Sequence, residues 1–192
     1  YTVFLKTLNL KNMTCIVGFI DKKNKKVIIG ADSAGVAGLE LKIRKDPKVF
    51  KLNDFVIGCT SSFRMIQLLN FSLELPEVEE DIYKYMCTKF INAVRECFKK
   101  GGFLSKSNEQ EEGGVFLVGY KSRLFCIQID FQVEELYSKF NAVGCGDEYA
   151  KGALSILSED KNIKPKAKVL KALEVASIHS AGVEKPFVLR CT

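Results

Sequence analysis

The chain has 192 residues, 47% of them hydrophobic, enough to bury one sizeable core and too few for two independent ones. No apolar run approaches the roughly 20 residues that span a bilayer, and the apolar start is broken by Lys6 without a small-residue cleavage site, so neither a membrane partner nor a secretory signal is expected. The net charge of +6 raises nucleic acid as a partner, but the lysines alternate with acids and form no stripe interleaved with aromatics; the densest groups, Lys22 to Lys26 and Lys161 to Lys171, are expected on a turn and a helix surface.

Along the chain, TCIVGFI and KKVIIGAD are β-branched runs separated by the polar segment Asp21 to Lys25, which predicts a hairpin. The second strand is expected to run into an acidic, glycine-containing loop. KVFKL and DFVIGC, joined through Asn53 and Asp54, repeat the hairpin pattern. After Thr60 the period changes: Phe63, Ile66, Leu68, Leu69, Phe71 and Leu73 suit a helix that ends before Pro76. A second helix is predicted from the apolar stripe Ile82, Tyr85, Met86, Phe90, Ile91, Val94 and Phe98, with acids before it, Lys99 and Lys100 at its end and Gly101 beyond.

Residues 103 to 114 are polar and glycine-ended and are expected to form a loop. GVFLVGY and RLFCIQID form a further hairpin across Lys121 and Ser122, and SKFNAVGCG is a strand closing on a glycine turn. Two helices follow, one from about Asp147 to Leu157 and one from Pro165 to about Ser180, the latter with Leu170, Leu173, Ala176 and Ile178 on one side. KPFVLR is a last strand. Hairpins imply mostly antiparallel sheet, and two helix pairs need two sheet faces to cover. The expected fold is therefore α+β, a four-layer αββα sandwich of two antiparallel sheets.

Seven cysteines at irregular spacings, an odd number and mostly inside apolar runs, imply reduced thiols and a cytoplasmic location. No His/Cys cluster has zinc spacing, so no metal is expected. The most specific chemistry lies at Met13-Thr14. If the chain is cut after Met13, Thr14 carries a free α-amine beside its own hydroxyl and the amine can serve as general base. An α-amine has a pKa of about 7.7 to 8.0, so no histidine is required; the chain has one, His179. Asp32 ends the strand that pairs with the one Thr14 begins. Lys48 opens the next strand, where its ammonium would lower the hydroxyl pKa and keep the amine neutral.

These residues resemble a known family. MTCIVGFIDKKNKKVIIGADSAG, DPKVFKLNDFVIGCTSS, GGVFLVGY and FNAVGCGDEYAKGAL are similar to proteasome β subunits and the HslV protease, within the N-terminal-nucleophile hydrolases, and most of all to HslV-like proteins of bacteria and phages. The resemblance runs from Met13 to Phe187 and implies a threonine-type endopeptidase that needs no cofactor. It makes Thr14 the nucleophile, Asp32 and Lys48 its tuning pair, and the Ser62 N–H the oxyanion donor. Thr60 and Ser33 would border the substrate, with Gly58 and Cys59 letting the sheet edge approach it. Cys145, in Gly144-Cys145-Gly146, stands where the family has a serine that holds the nucleophile's amine and a water. The family's acid and serine of the last helix find only Ser177 and Ser180 as candidates.

The resemblance further implies an unfolded protein or peptide substrate, a homo-oligomeric ring and an ATP-dependent unfoldase as partner. Residues 1–13 are then a leader, propeptide or upstream extension, and residues 14–192 a single domain. Translation starting at Met13 would expose Thr14 through removal of the initiator. The alternative is a non-catalytic subunit kept for assembly or binding. Gly144-x-Gly146 as a phosphate loop, Cys145 with His179 as a thiol site, and Cys15 as nucleophile are weaker readings of the same segments.

Overall fold

The computed structural model describes residues 13–192; the expected leader, apart from Met13, lies outside the described residues. Strands β1 (Cys15–Asp21) and β2 (Lys26–Ala31) form the first hairpin, paired from Ile16 with Ala31 to Asp21 with Lys26. Asp21 closes the turn, its carboxylate accepting from the backbone and side-chain N–H of Asn24. The segment expected as a loop folds into a second, two-stranded hairpin, β3 (Ala34–Ala37) and β4 (Glu40–Ile43), turning at Gly38 with φ +61°. Its strands are four residues long and β4 is exposed throughout, so neither length nor alternation marks them as strands.

Strands β5 (Val49–Leu52) and β6 (Phe55–Cys59) pair as expected. Helix α1 (Phe63–Phe71) stops short of Pro76. The next helix is continuous but not uniform: α2 (Ile82–Tyr85) passes through a π turn, Met86–Phe90, into α3 (Ile91–Lys100). The polar segment at 103 to 114 is not a plain loop but carries the short hairpin β7 (Ser105–Ser107) and β8 (Gln110–Glu112). Strands β9 (Phe116–Tyr120), β10 (Arg123–Ile127), the three-residue β11 (Val133–Glu135) and β12 (Phe140–Gly144) precede α4 (Asp147–Leu157), α5 (Pro165–His179) and β13 (Val188–Cys191).

The strands make two main sheets, β12-β1-β2-β13 and β11-β10-β9-β6-β5, antiparallel throughout. Three apolar cores separate the four layers. One packs α1 to α3 on the five-stranded sheet, where Phe55 stacks on Tyr120 at 4.4 Å and on Phe90 at 5.7 Å between ring centroids. A second packs α4 and α5 on the four-stranded sheet. The third, with Ile16, Ile29, Val49, Val56 and Leu117, lies between the sheets.

A Cβ on Gly58 would come within 2.6 Å of Ile16 and 2.7 Å of Ile29, so this glycine serves the close approach of the two sheets. Gly58 and Cys59 are buried in β6 and not at a substrate edge. Helix α5 buries Leu173 and Ala176 as expected, together with Val169 and Ala172, while Leu170 and Ile178 of the expected stripe are exposed. Lys168, expected on the helix surface, is buried and donates to the Ser158 carbonyl at 3.0 Å, compensating the C-terminal end of α4.

Candidate active site

The hairpin register puts Asp32 just beyond the last β2 residue, where its N–H donates to the Cys15 carbonyl at 3.3 Å. From there the Asp32 carboxylate faces the start of β1. One oxygen accepts from the Cys15 N–H at 2.9 Å and from the Thr14 hydroxyl, and the other accepts from the Ala34 N–H at 2.8 Å. Lys48 reaches the same point from the other sheet, held at its backbone by Cys59 N–H on the Lys48 carbonyl at 2.9 Å. Its ammonium lies 2.9 Å from both Asp32 oxygens and donates to the Thr14 hydroxyl oxygen.

Thr14, Asp32 and Lys48 are 3%, 1% and 3% exposed, so the ion pair is shielded from water and salt. Burial pushes the Lys48 pKa below the ordinary lysine value, against the upward pull of Asp32. The hydroxyl thus sits between a carboxylate that can orient it and a cation that can stabilise its oxyanion form. Burial has the opposite effect on Cys15, whose thiol is pushed far up and stays protonated. With its side chain in the core beneath α4 and α5, Cys15 is structural.

A cleft of about 80 Å³ opens beside this group, lined by Thr14, Lys48, Thr60, Ser62, Phe63 and the β3 residues Ala34 to Val36, among others. Ser62 is the N-cap of α1, its hydroxyl accepting from the Arg64 N–H at 3.1 Å, so the positive end of α1 faces the cleft. Thr60 is held through its hydroxyl to the Val115 carbonyl at 2.9 Å. Between them Ser61 takes φ +44°, a left-handed conformation locked by its hydroxyl accepting from the Val115 N–H at 3.1 Å. Ser33 lies outside this lining: it is buried, and its hydroxyl donates to the Pro186 carbonyl at 2.6 Å. Its neighbours in β3, together with Ser61 and Phe63, line the cleft without any motif in the sequence to announce them.

The glycine turn after β12 grips the Thr14 carbonyl. Gly146 N–H and the Cys145 thiol each donate to Thr14 O at 3.4 Å, and Ser180 donates its hydroxyl to Cys145 Sγ at 3.1 Å. Ser180 therefore reaches the site, whereas Ser177 turns back to the Glu174 carbonyl. His179 stacks on Tyr149, which leaves Ser180 and Thr14 as the partners of Cys145. Gly144 has φ +107°, and a Cβ there would lie 2.3 Å from Thr14 O. Gly144→Ala should destabilise the chain by about 2 kcal/mol or more and displace Thr14. A melting temperature within error of the parent would show that the turn relaxes freely.

Two docked antiparallel sheets between helix pairs make the four-layer αββα sandwich of the N-terminal-nucleophile hydrolase fold. More narrowly, the architecture is that of the HslV-like, proteasome-type subunits. BPH from Thiobacillus denitrificans aligns over 93% of this chain and 97% of its own, with a TM-score of 0.78 and 19% identity. Eukaryotic HslV from Trypanosoma brucei aligns over 93% and 98%, with a TM-score of 0.68 and 18% identity. An Anbu (Gly-1) mutant from Hyphomicrobium sp. strain MC1 aligns over 92% and 80%, with a TM-score of 0.66 and 20% identity. No family model and no curated protein matches the sequence. No helix among the described residues is long and apolar enough to cross a membrane.

Proposed function

We propose that the chain is a threonine-type peptidase whose nucleophile is the Thr14 hydroxyl, freed by a cut after Met13. The observation that carries this reading is the contact of one buried hydroxyl with both Asp32 and Lys48 beside an open cleft. In the reaction the freed Thr14 amine takes the hydroxyl proton and Oγ1 attacks the peptide carbonyl. The resulting oxyanion is held by the Ser62 N–H at the α1 N-terminus, and the amine returns the proton to the leaving nitrogen. Water then attacks the acyl-threonine ester, with the same amine as base. Asp32 orients Lys48, and Lys48 stabilises the developing alkoxide. Thr60 borders the substrate, and Cys145, backed by Ser180, fixes the Thr14 backbone. Unfolded protein or peptide is the substrate class, and a homo-oligomeric ring served by an ATP-dependent unfoldase is the setting.

While Met13 remains attached, the Thr14 nitrogen is an amide and cannot act as base. A chain that keeps that bond is the non-catalytic subunit of the second reading. The deciding experiment is intact mass of protein produced with Thr14 first, before and after exposure to epoxomicin, with which Thiobacillus denitrificans BPH was solved in complex. Mass gain on Thr14 together with peptide hydrolysis supports the peptidase; neither one leaves the assembly role.

The pH profile tests the base itself. With the α-amine in that role, kcat/KM rises roughly tenfold or more from about pH 6 to about pH 8, because the neutral amine is the active form. A flat profile over that interval would exclude the α-amine.

A further inference from the structure

Two lysine groups some 140 positions apart in the chain, which the sequence places on a turn and on a helix surface, line a single groove. The β1–β2 turn contributes Lys23 and Lys26; the α4–α5 connection and the start of α5 contribute Lys161, Lys164, Lys166 and Lys168. The groove holds about 940 Å³, room for several residues of an extended chain. Lys168 forms part of its buried wall, committed to Ser158. The other five lysines are exposed, and among the described residues none of them forms an ion pair. Elsewhere on the surface Lys89, Arg95, Arg123 and Lys151 each find a carboxylate.

Asp21 is the acid on the groove wall, and its carboxylate is already engaged by Asn24. Five exposed lysines against this one buried acid leave the groove with an excess of positive charge, and a concave surface of that kind concentrates anions. The lining also includes Ile163, Pro165 and Cys191, which offer apolar contact. No arginine fork and no aromatic ring lines the groove among the described residues, so the means of reading a base edge or stacking a base are missing.

We propose that this groove docks an acidic, partly apolar peptide segment of a partner protein, with carboxylates on the lysines of both walls and apolar side chains on Ile163 and Pro165. The groove borders the far end of β1 from Thr14, about 20 Å away along a seven-residue strand, so docking there is separate from peptide cleavage.

The test is fluorescence anisotropy of a labelled peptide of about eight residues, long enough to span the groove, built from Glu, Asp, Leu and Gly and titrated with the full chain. Binding should weaken roughly tenfold or more between about 0.05 M and about 0.3 M salt. It should weaken similarly in K161E/K164E and measurably in the milder K164A/K166A, with the parent's thermal melt retained in each. A Gln-for-Glu, Asn-for-Asp peptide should not bind. Absence of binding, binding indifferent to either double variant, or equal binding of an oligothymidylate of the same charge would each overturn the proposal, the last in favour of a nucleic acid groove.

Discussion

A chain that begins with Thr14→Ala is expected to hydrolyse unstructured peptides at least about 10³-fold more slowly than the parent and to take up no epoxomicin, because the proposed nucleophile and its orienting contact vanish together. The fold should survive. Asp32 keeps its bonds from Cys15 N–H, Ala34 N–H and Lys48, so the cost is that of one hydrogen-bonded hydroxyl, about 1 kcal/mol. For a chain of this size that lowers the melting temperature by roughly 2–4 °C. Turnover within a few fold of the parent in a properly folded Ala variant would remove Thr14 from the mechanism.

Lys48→Met is expected to be costly in a second way. It deletes the cation from a pair in which both side chains are buried and leaves the Asp32 carboxylate in the interior with only hydrogen bonds. Such half-removed pairs cost about 3–5 kcal/mol, here a fall in melting temperature of roughly 6–20 °C. Activity should fall by about 10²-fold or more, since the group proposed to stabilise the alkoxide is gone. Adding Asp32→Asn removes the stranded charge and should return a measurable part of the lost stability without restoring turnover. Additive losses in the double variant would mean that the two side chains do not act as a pair.

Much of this was legible in the sequence where apolar periodicity is strong. The hairpins β1–β2, β5–β6 and β9–β10 and the helices α1, α4 and α5 follow from alternation, helical stripes, Pro165 and the break before Pro76. The short strands escaped because three or four residues in polar company carry no period: β3–β4, β7–β8 and β11 exist through tertiary pairing. The π turn at Met86–Phe90 shifts the helix phase without changing its composition. In the site, Thr14, Asp32 and Lys48 stand at strand ends that alternation locates. Ser61 and Phe63 enter the cleft through one left-handed residue, and Ser180 arrives by the placing of the α5 terminus. None of these positions is encoded in a local pattern. On α5, Leu173 and Ala176 are buried as the stripe predicts, whereas Leu170 and Ile178 are exposed and the less hydrophobic Ala172 joins Val169 in the core.

Thr14 and Asp32 come from the four-stranded sheet and Lys48 from the edge of the five-stranded one, so the three meet only across the seam between the layers. The constellation therefore works as a latch on its own scaffold. A chain with one sheet formed cannot bring Lys48 to Thr14 and Asp32, so this contact forms only when the two sheets dock. On the proposed peptidase reading, that dependence on both sheets would keep an unfinished copy from cleaving peptides.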